Sequence, residues 1–174
     1  MSRETETKLP IRYILTGGGT AGHVYPALAI AEHIRDQEPD AAFLYLGTRR
    51  GAEERIVSAW GIPLQTLNVR GLPAGKSPLL FFGFLWRLVC STMKAIRILR
   101  SIRPRAVIGT GGYASAPVFL AALLLRPLGL WRGILCLHEQ NIIPGRFNLW
   151  MSRGADFIGI SFPETERYFP KQKT

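Results

Sequence analysis

A chain of 174 residues that is 47% apolar and 20% charged is long enough for one domain with a sizeable core, and its composition excludes a disordered segment. The net charge of +10 is concentrated: residues 55–138 hold eleven Lys/Arg and no Asp or Glu, and the remainder holds eleven basic and twelve acidic residues. This asymmetry points to an anionic partner, and aromatics clustered apart from the charges argue against nucleic acid in favour of a phosphorylated substrate or an acidic membrane surface.

The polar stretch 1–10 is read as a tail and lacks the apolar centre of a secretion signal. From there, continuously apolar runs at 11–16, 42–46, 64–69, 106–110, 134–138 and 156–160 predict strands buried on both faces. Helical patterns alternate with them at 25–38, 52–60, 79–102, 115–125 and 145–153. The alternation predicts an α/β fold, a Rossmann-like parallel sheet with helices on both faces. The longest unbroken apolar runs, 79–86 and 117–125, fall short of the ~20 residues of a spanning helix, so no transmembrane segment is expected. Cys90 and Cys136 sit in apolar runs and are expected to be buried, reduced thiols of a cytosolic protein. No metal cluster is read from the sequence, and residues 164–174 suggest neither a closing strand nor a helix.

Ligands of parallel sheets bind where loops leave the carboxyl ends of strands, and three such loops are unusual. The first contains Gly17, Gly18, Gly19, Thr20, Ala21, Gly22 and His23, in which Gly17, Gly19 and Gly22 spell G-x-G-x-x-G. Glycines admit a ligand to the backbone, and the following helix N-terminus favours an anion. A dinucleotide site would want an acid after the second strand. This chain has Arg49 and Arg50 there, which keeps an NADPH-binding domain open as an alternative. His23 is placed either to contact ligand or to cap the helix.

The second loop spans residues 109–117. Gly111 and Gly112 offer backbone N–H groups, and Tyr113 and Ser115 offer hydroxyls. Two glycine loops on one sheet edge suggest a cradle for a diphosphate. The third loop brings His138, Glu139, Gln140 and Asn141, which suit orienting sugar hydroxyls or fixing the neighbouring loops.

The basic middle carries a helical stripe of Leu85, Val89, Thr92, Ile96 and Leu99, expected to face the sheet, with Arg87 and Lys94 opposite. Leu79, Leu80, Phe81, Phe82, Phe84 and Trp86 crowd the helix start and cannot all enter one core. Ringed by Lys76, Arg87 and Lys94, they predict contact with an anionic membrane surface; burial under a domain partner is the other reading.

Taken together, "GGGTAGHVYPALAIAEHI", "LGTRRGAEERIV", "GIPLQTLNVRGL", "VIGTGGYASAPVFLAA" and "LHEQNIIPGRFNLWMSRGAD" resemble the N-terminal half of the MurG family, bacterial glycosyltransferases of family 28. The resemblance covers residues 11–163. It implies the acceptor-binding domain of a GT-B enzyme, in which two Rossmann-like domains face each other across a cleft. The implied reaction transfers N-acetylglucosamine from UDP-N-acetylglucosamine to lipid I, forming lipid II for peptidoglycan with inversion and without a cofactor. It takes place on the cytoplasmic face of the plasma membrane, with the enzyme bound peripherally. On this reading residues 164–174 begin an interdomain linker and the donor domain is absent; a non-catalytic membrane-docking subunit of a split transferase is the alternative. The family often has glycine where this chain has Ala21, a methyl that is tolerable at negative φ. Gly18 to Gly22 and the second loop would hold the acceptor's diphosphate and sugar, with Thr20, Ala21, Gly22 and Asn141 bordering the donor and Tyr113 and Gln140 in matching motifs. His23 is the first candidate for the base, and Glu139 the second.

Overall fold

The computed structural model describes residues 10–48, 53–73 and 77–174. Arg49, Arg50 and Lys76 lie outside the described residues. Six strands form one parallel sheet: β1 (Tyr13–Thr16), β2 (Phe43–Thr48), β3 (Leu64–Leu67), β4 (Ala106–Gly109), β5 (Ile134–Glu139) and β6 (Phe157–Ile160). Their order is β3-β2-β1-β4-β5-β6. The chain winds outward from β1 in one direction and from β4 in the other, so the topological switch point lies between these two neighbours.

Strand alternation builds two cores. Ile14, Leu44, Leu46 and Val107 point to one face; Tyr13, Leu15, Phe43, Tyr45 and Ile108 point to the other. Helices α1 (Ala21–Gln37) and α2 (Glu53–Ala59) cover the second face. Helices α3 (Pro78–Ile102), α4 (Ala116–Leu125) and α5 (Arg146–Met151) cover the first. The expected Rossmann-like architecture is thus present.

Three expectations need correction. The stripe on α3 is buried only from Ser91 onward: Ser91, Thr92, Ala95 and Leu99 are buried and Leu88 packs half-buried against the core, but Leu85 and Val89 are exposed. At 1.5 Å per residue a 25-residue helix runs about 37 Å, far beyond the edge of four- to six-residue strands, so its first half has no sheet to pack on. Cys90, on that overhang, is exposed; Cys136 is half-buried, and burial pushes its thiol pKa up. Residues Pro163–Tyr168 form a 3-10 helix, and Phe169 behind it packs into the core.

Candidate functional site

The first glycine loop is held from below. A buried carboxylate, Glu53 at the start of α2, accepts hydrogen bonds from the Gly19 N–H (3.2 Å) and from the Thr48 hydroxyl (3.0 Å). A Cβ on Gly18 would collide with that carboxylate, and Gly19 has φ +92, which favours glycine. Tyr45 donates its hydroxyl to the Gly17 carbonyl (2.9 Å), and burial pushes the phenol pKa up, so it stays a donor. Glu53 and Tyr45 were not singled out from sequence. An acid in a helix's first turn was visible, but its reach back under another loop was not.

α1 begins at Ala21, earlier than its periodicity suggested, so Gly22 and His23 lie in its first turn. Ala21 lies outside the left-handed region, so its methyl adds no backbone strain there. Thr20 precedes the helix without a side-chain capping bond, and its hydroxyl has no partner among the described residues. The first turn has no acidic residue, so the positive end of the helix dipole faces the loops unopposed from its own turn.

At the switch point the second loop closes on the first. Gly112, at φ +76, packs so tightly on the Gly18 carbonyl that a Cβ would clash. Thr110 donates its hydroxyl to the His23 carbonyl, and its own carbonyl lies 2.9 Å from His23 Nδ1. The Gln140 amide lies 2.6 Å from the same nitrogen. With Nδ1 protonated toward Thr110, the Gln140 amide turned oxygen-first accepts from the same N–H. Nε2 then carries the lone pair. Three loops therefore fix one half-buried imidazole and leave its far nitrogen without a protein partner among the described residues.

The remaining candidates divide. Tyr113 is exposed, and its ring packs over Gly19. Ser115 is fully buried and donates to the Gly111 carbonyl (2.9 Å), so its hydroxyl is spent inside the loop. Glu139 is also fully buried. Its Oε1 accepts from the Asn141 N–H (2.9 Å) and Nδ2 (2.8 Å), and its Oε2 from the Gly145 N–H (3.0 Å) and Asn148 Nδ2 (2.8 Å). Asn148, which sequence reasoning missed, also lies against Gly111, where a Cβ would meet its amide. His138 faces β6 instead of the loops, with Nε2 3.4 Å from the Ser161 hydroxyl; burial pushes its pKa down, opposed by Glu139. Thr165 donates to the Asn141 carbonyl (3.0 Å), pinning the third loop to the 3-10 helix.

On the overhang of α3, Leu79, Phe82 and Trp86 are 80%, 66% and 70% exposed; Leu80 and Phe81 are exposed too. Phe84 and Arg87 are half-buried, and Lys94 donates to the Thr66 carbonyl (2.8 Å). By length and composition α3 is apolar enough to cross a membrane, although Arg87 and Lys94 break its apolar run. Its second half is nevertheless tied into the core. Among the described residues no group of three or more His, Cys, Asp or Glu could hold a metal.

Comparison with known proteins adds to this picture. The model of the glycosyltransferase family 28 N-terminal domain matches residues 13–160. A UDP-N-acetylglucosamine–N-acetylmuramyl-(pentapeptide) pyrophosphoryl-undecaprenol N-acetylglucosamine transferase of Lactococcus lactis subsp. cremoris is 38% identical over 94% of this chain and 44% of its own length. The same enzyme of Desulforudis audaxviator is 44% identical over 92% of this chain and 41% of its own length. The crystal structure of Acinetobacter baumannii MurG superposes with a TM-score of 0.72 at 31% identity, over 94% of this chain and 43% of that one. The chain thus spans less than half the length of the curated relatives it matches.

Proposed function

The chain belongs to the family of glycosyltransferase family 28 N-terminal domains, and on that premise we propose that it is the acceptor-binding half of an inverting N-acetylglucosaminyltransferase. The complete enzyme moves N-acetylglucosamine from UDP-N-acetylglucosamine to lipid I, the undecaprenyl-diphosphate-linked muramyl pentapeptide, and yields lipid II for peptidoglycan. The relatives' activity supports the reaction class. The observation that carries the reading is the imidazole of His23, fixed through Nδ1 by Thr110 and Gln140 at the switch point, with Nε2 left for a substrate.

In this mechanism Nε2 takes the proton from the 4-hydroxyl of the muramyl sugar as that oxygen forms its bond to the donor's anomeric carbon. The bond from that carbon to UDP breaks, and UDP leaves with the electron pair. The N-terminus of α1, with Thr20 beside it, lies at the carboxyl edge of the sheet and offsets the charge growing on the leaving diphosphate. Glu139 organises the third loop through four N–H donors and presents Gln140 and Asn141; it is a positioning residue in place of a second base.

The exposed tip of α3 docks the enzyme peripherally on the anionic cytoplasmic face of the plasma membrane, where lipid I is held. Calorimetric titration of this chain with a water-soluble lipid I analogue and with NADPH tests the assignment. Binding of the analogue and none of NADPH supports it. Micromolar NADPH binding without a response to the analogue overturns it.

A further inference from the structure

A cavity of about 990 Å³ opens at the amino edge of the sheet, where β4 and β5 begin and α3 ends, on the side away from the glycine loops. We propose that it docks an acidic segment of a partner protein, with carboxylates on its arginine walls and an apolar side chain on its floor. The inference goes beyond the acceptor assignment and does not rest on it.

The walls are basic without compensation. Arg97, Arg100, Arg103, Arg105 and Arg132 line the cavity, and no Asp or Glu does. The ion pairs among the described residues are Arg105–Glu38 and Arg126–Asp156, so of the five only Arg105 is neutralised by one. The other four are exposed. Permanently charged groups held this close repel one another, a cost that an anionic partner removes. Leu130 and Ile134 supply an apolar floor, 42% and 39% exposed. The frame around it is fixed: the Trp131 indole N–H donates to the Pro104 carbonyl (2.9 Å), and the Arg126 guanidinium lies 5.3 Å over the Trp131 ring. The hollow is therefore ready before a partner arrives.

An independent observation comes from Arg103. Among the described residues it is the one non-glycine with a left-handed backbone, at φ 49. It closes α3 by donating its N–H to the Leu99 carbonyl (2.8 Å), a position where glycine is the unstrained residue. An exposed arginine held there at a cost in stability, on the rim of a basic cavity, points to a use for its side chain.

The chemistry of the walls selects the occupant. Nucleic acid needs ring faces on which bases stack, and Trp131, the one aromatic lining residue among those described, is 3% exposed. A compact phosphate would seek backbone N–H groups, but α3 presents its carbonyl end here. A flat bilayer does not enter a hollow. Phe82 in the apolar tip lies about 22 Å along α3 from Arg97, beyond the ~8 Å reach of charge at physiological salt. Guanidiniums spread over α3 and the approach to β5 match separate carboxylates in bidentate pairs, and the floor takes an aliphatic side chain between them.

The probe is a fluorescein-labelled peptide of repeating Glu-Glu-Leu, set against its Gln-Gln-Leu counterpart, with this chain titrated in at physiological salt. Anisotropy is expected to show the acidic peptide binding at least ~10-fold more tightly than the neutral one. Arg97→Ser/Arg100→Ser should weaken that binding by about tenfold with Tm unchanged. Arg103→Gly should weaken it about threefold while raising Tm by roughly 2–4 °C; a residue that only closes the helix would raise Tm alone. Arg153→Ser/Lys171→Ser removes the same charge from exposed positions elsewhere and should leave the affinity within about twofold. Wild-type affinity in the folded Arg97→Ser/Arg100→Ser or Arg103→Gly variant overturns the proposal, as does a wild-type chain that does not prefer the acidic peptide. An equal loss in Arg153→Ser/Lys171→Ser also overturns it, because the attraction then belongs to the net charge of the whole chain. Sedimentation with anionic liposomes separates a membrane from a protein partner. The Arg97→Ser/Arg100→Ser variant should sediment like wild type, and its failure to do so makes these arginines part of a membrane surface and overturns the proposal.

Discussion

The Gln140 amide and the His23 imidazole meet at 2.6 Å although 117 positions separate them in the chain. With Thr110 they hold Nδ1 and so decide which ring nitrogen is free. If Nε2 is the base, His23→Ala in the completed enzyme should lower kcat by ~10²–10⁴-fold while leaving the fold intact. Gln140→Ala should spare more activity and change the pH profile, because the imidazole loses one of its two orienting contacts. Steady-state kinetics across pH 5–9 checks both, and near-normal kcat in His23→Ala would remove it from the chemistry.

Glu139→Gln should act on stability before activity. An amide in place of the carboxylate turns one acceptor into a donor facing N–H groups of Asn141, Gly145 or Asn148. A buried mismatch of this kind costs about 1–3 kcal/mol, which for a domain of this size lowers Tm by roughly 3–10 °C. Differential scanning calorimetry reads the shift. An unchanged Tm would mean that the loop does not depend on these bonds.

Much of this was legible in the sequence. Strands buried on both faces write themselves as unbroken apolar runs, and β1, β2 and β4 fall within a few residues of where those runs lie. What escaped is of two kinds. The stripe on α3 was extended too far through Leu85 and Val89, since periodicity tells which side of a helix is apolar and not where the sheet beneath it ends. Glu53 and Asn148 were passed over because each acts on a loop distant in sequence, and a lone acid or amide in a helix carries no local sign of such reach. His23 was singled out because a titratable side chain following a glycine loop lies at the ligand edge of a parallel sheet, and the structure places its ring between Thr110 and Gln140.

Asp156 gives a pH signature. Partial burial pushes its pKa up, but the hydrogen bond from Arg126, the Leu135 N–H and the charges of Arg126 and Lys173 outweigh this and hold the carboxyl below its ordinary value. A carboxyl depressed in the folded state stabilises it above the ordinary unfolded pKa of ~3.9, and the contribution fades as pH falls through the folded value. Asp156→Asn should therefore lower Tm at pH 7, with the gap to wild type closing below pH ~4. A gap that persists undiminished in acid would show that packing, and not charge, is what Asp156 supplies.

Peripheral docking predicts sedimentation of the chain with liposomes containing anionic lipid, weakened by salt. Phe81→Ser/Phe82→Ser/Trp86→Ser should remain folded, because these side chains stand on the overhang, and should lose most of the binding. A folded triple variant that sediments like wild type places the docking surface elsewhere. Unfolding of the variant would mean that the three rings belong to a core.

The division of labour between two domains is tested most directly by transfer of labelled N-acetylglucosamine from its UDP donor to lipid I. The 174-residue chain is assayed alone and after joining to the C-terminal domain of a relative such as the Desulforudis audaxviator enzyme. The account predicts no turnover by the chain alone and labelled lipid II from the joined enzyme, abolished or nearly so by His23→Ala. Robust transfer by the chain alone, or none by a folded joined enzyme that binds both substrates, would contradict it.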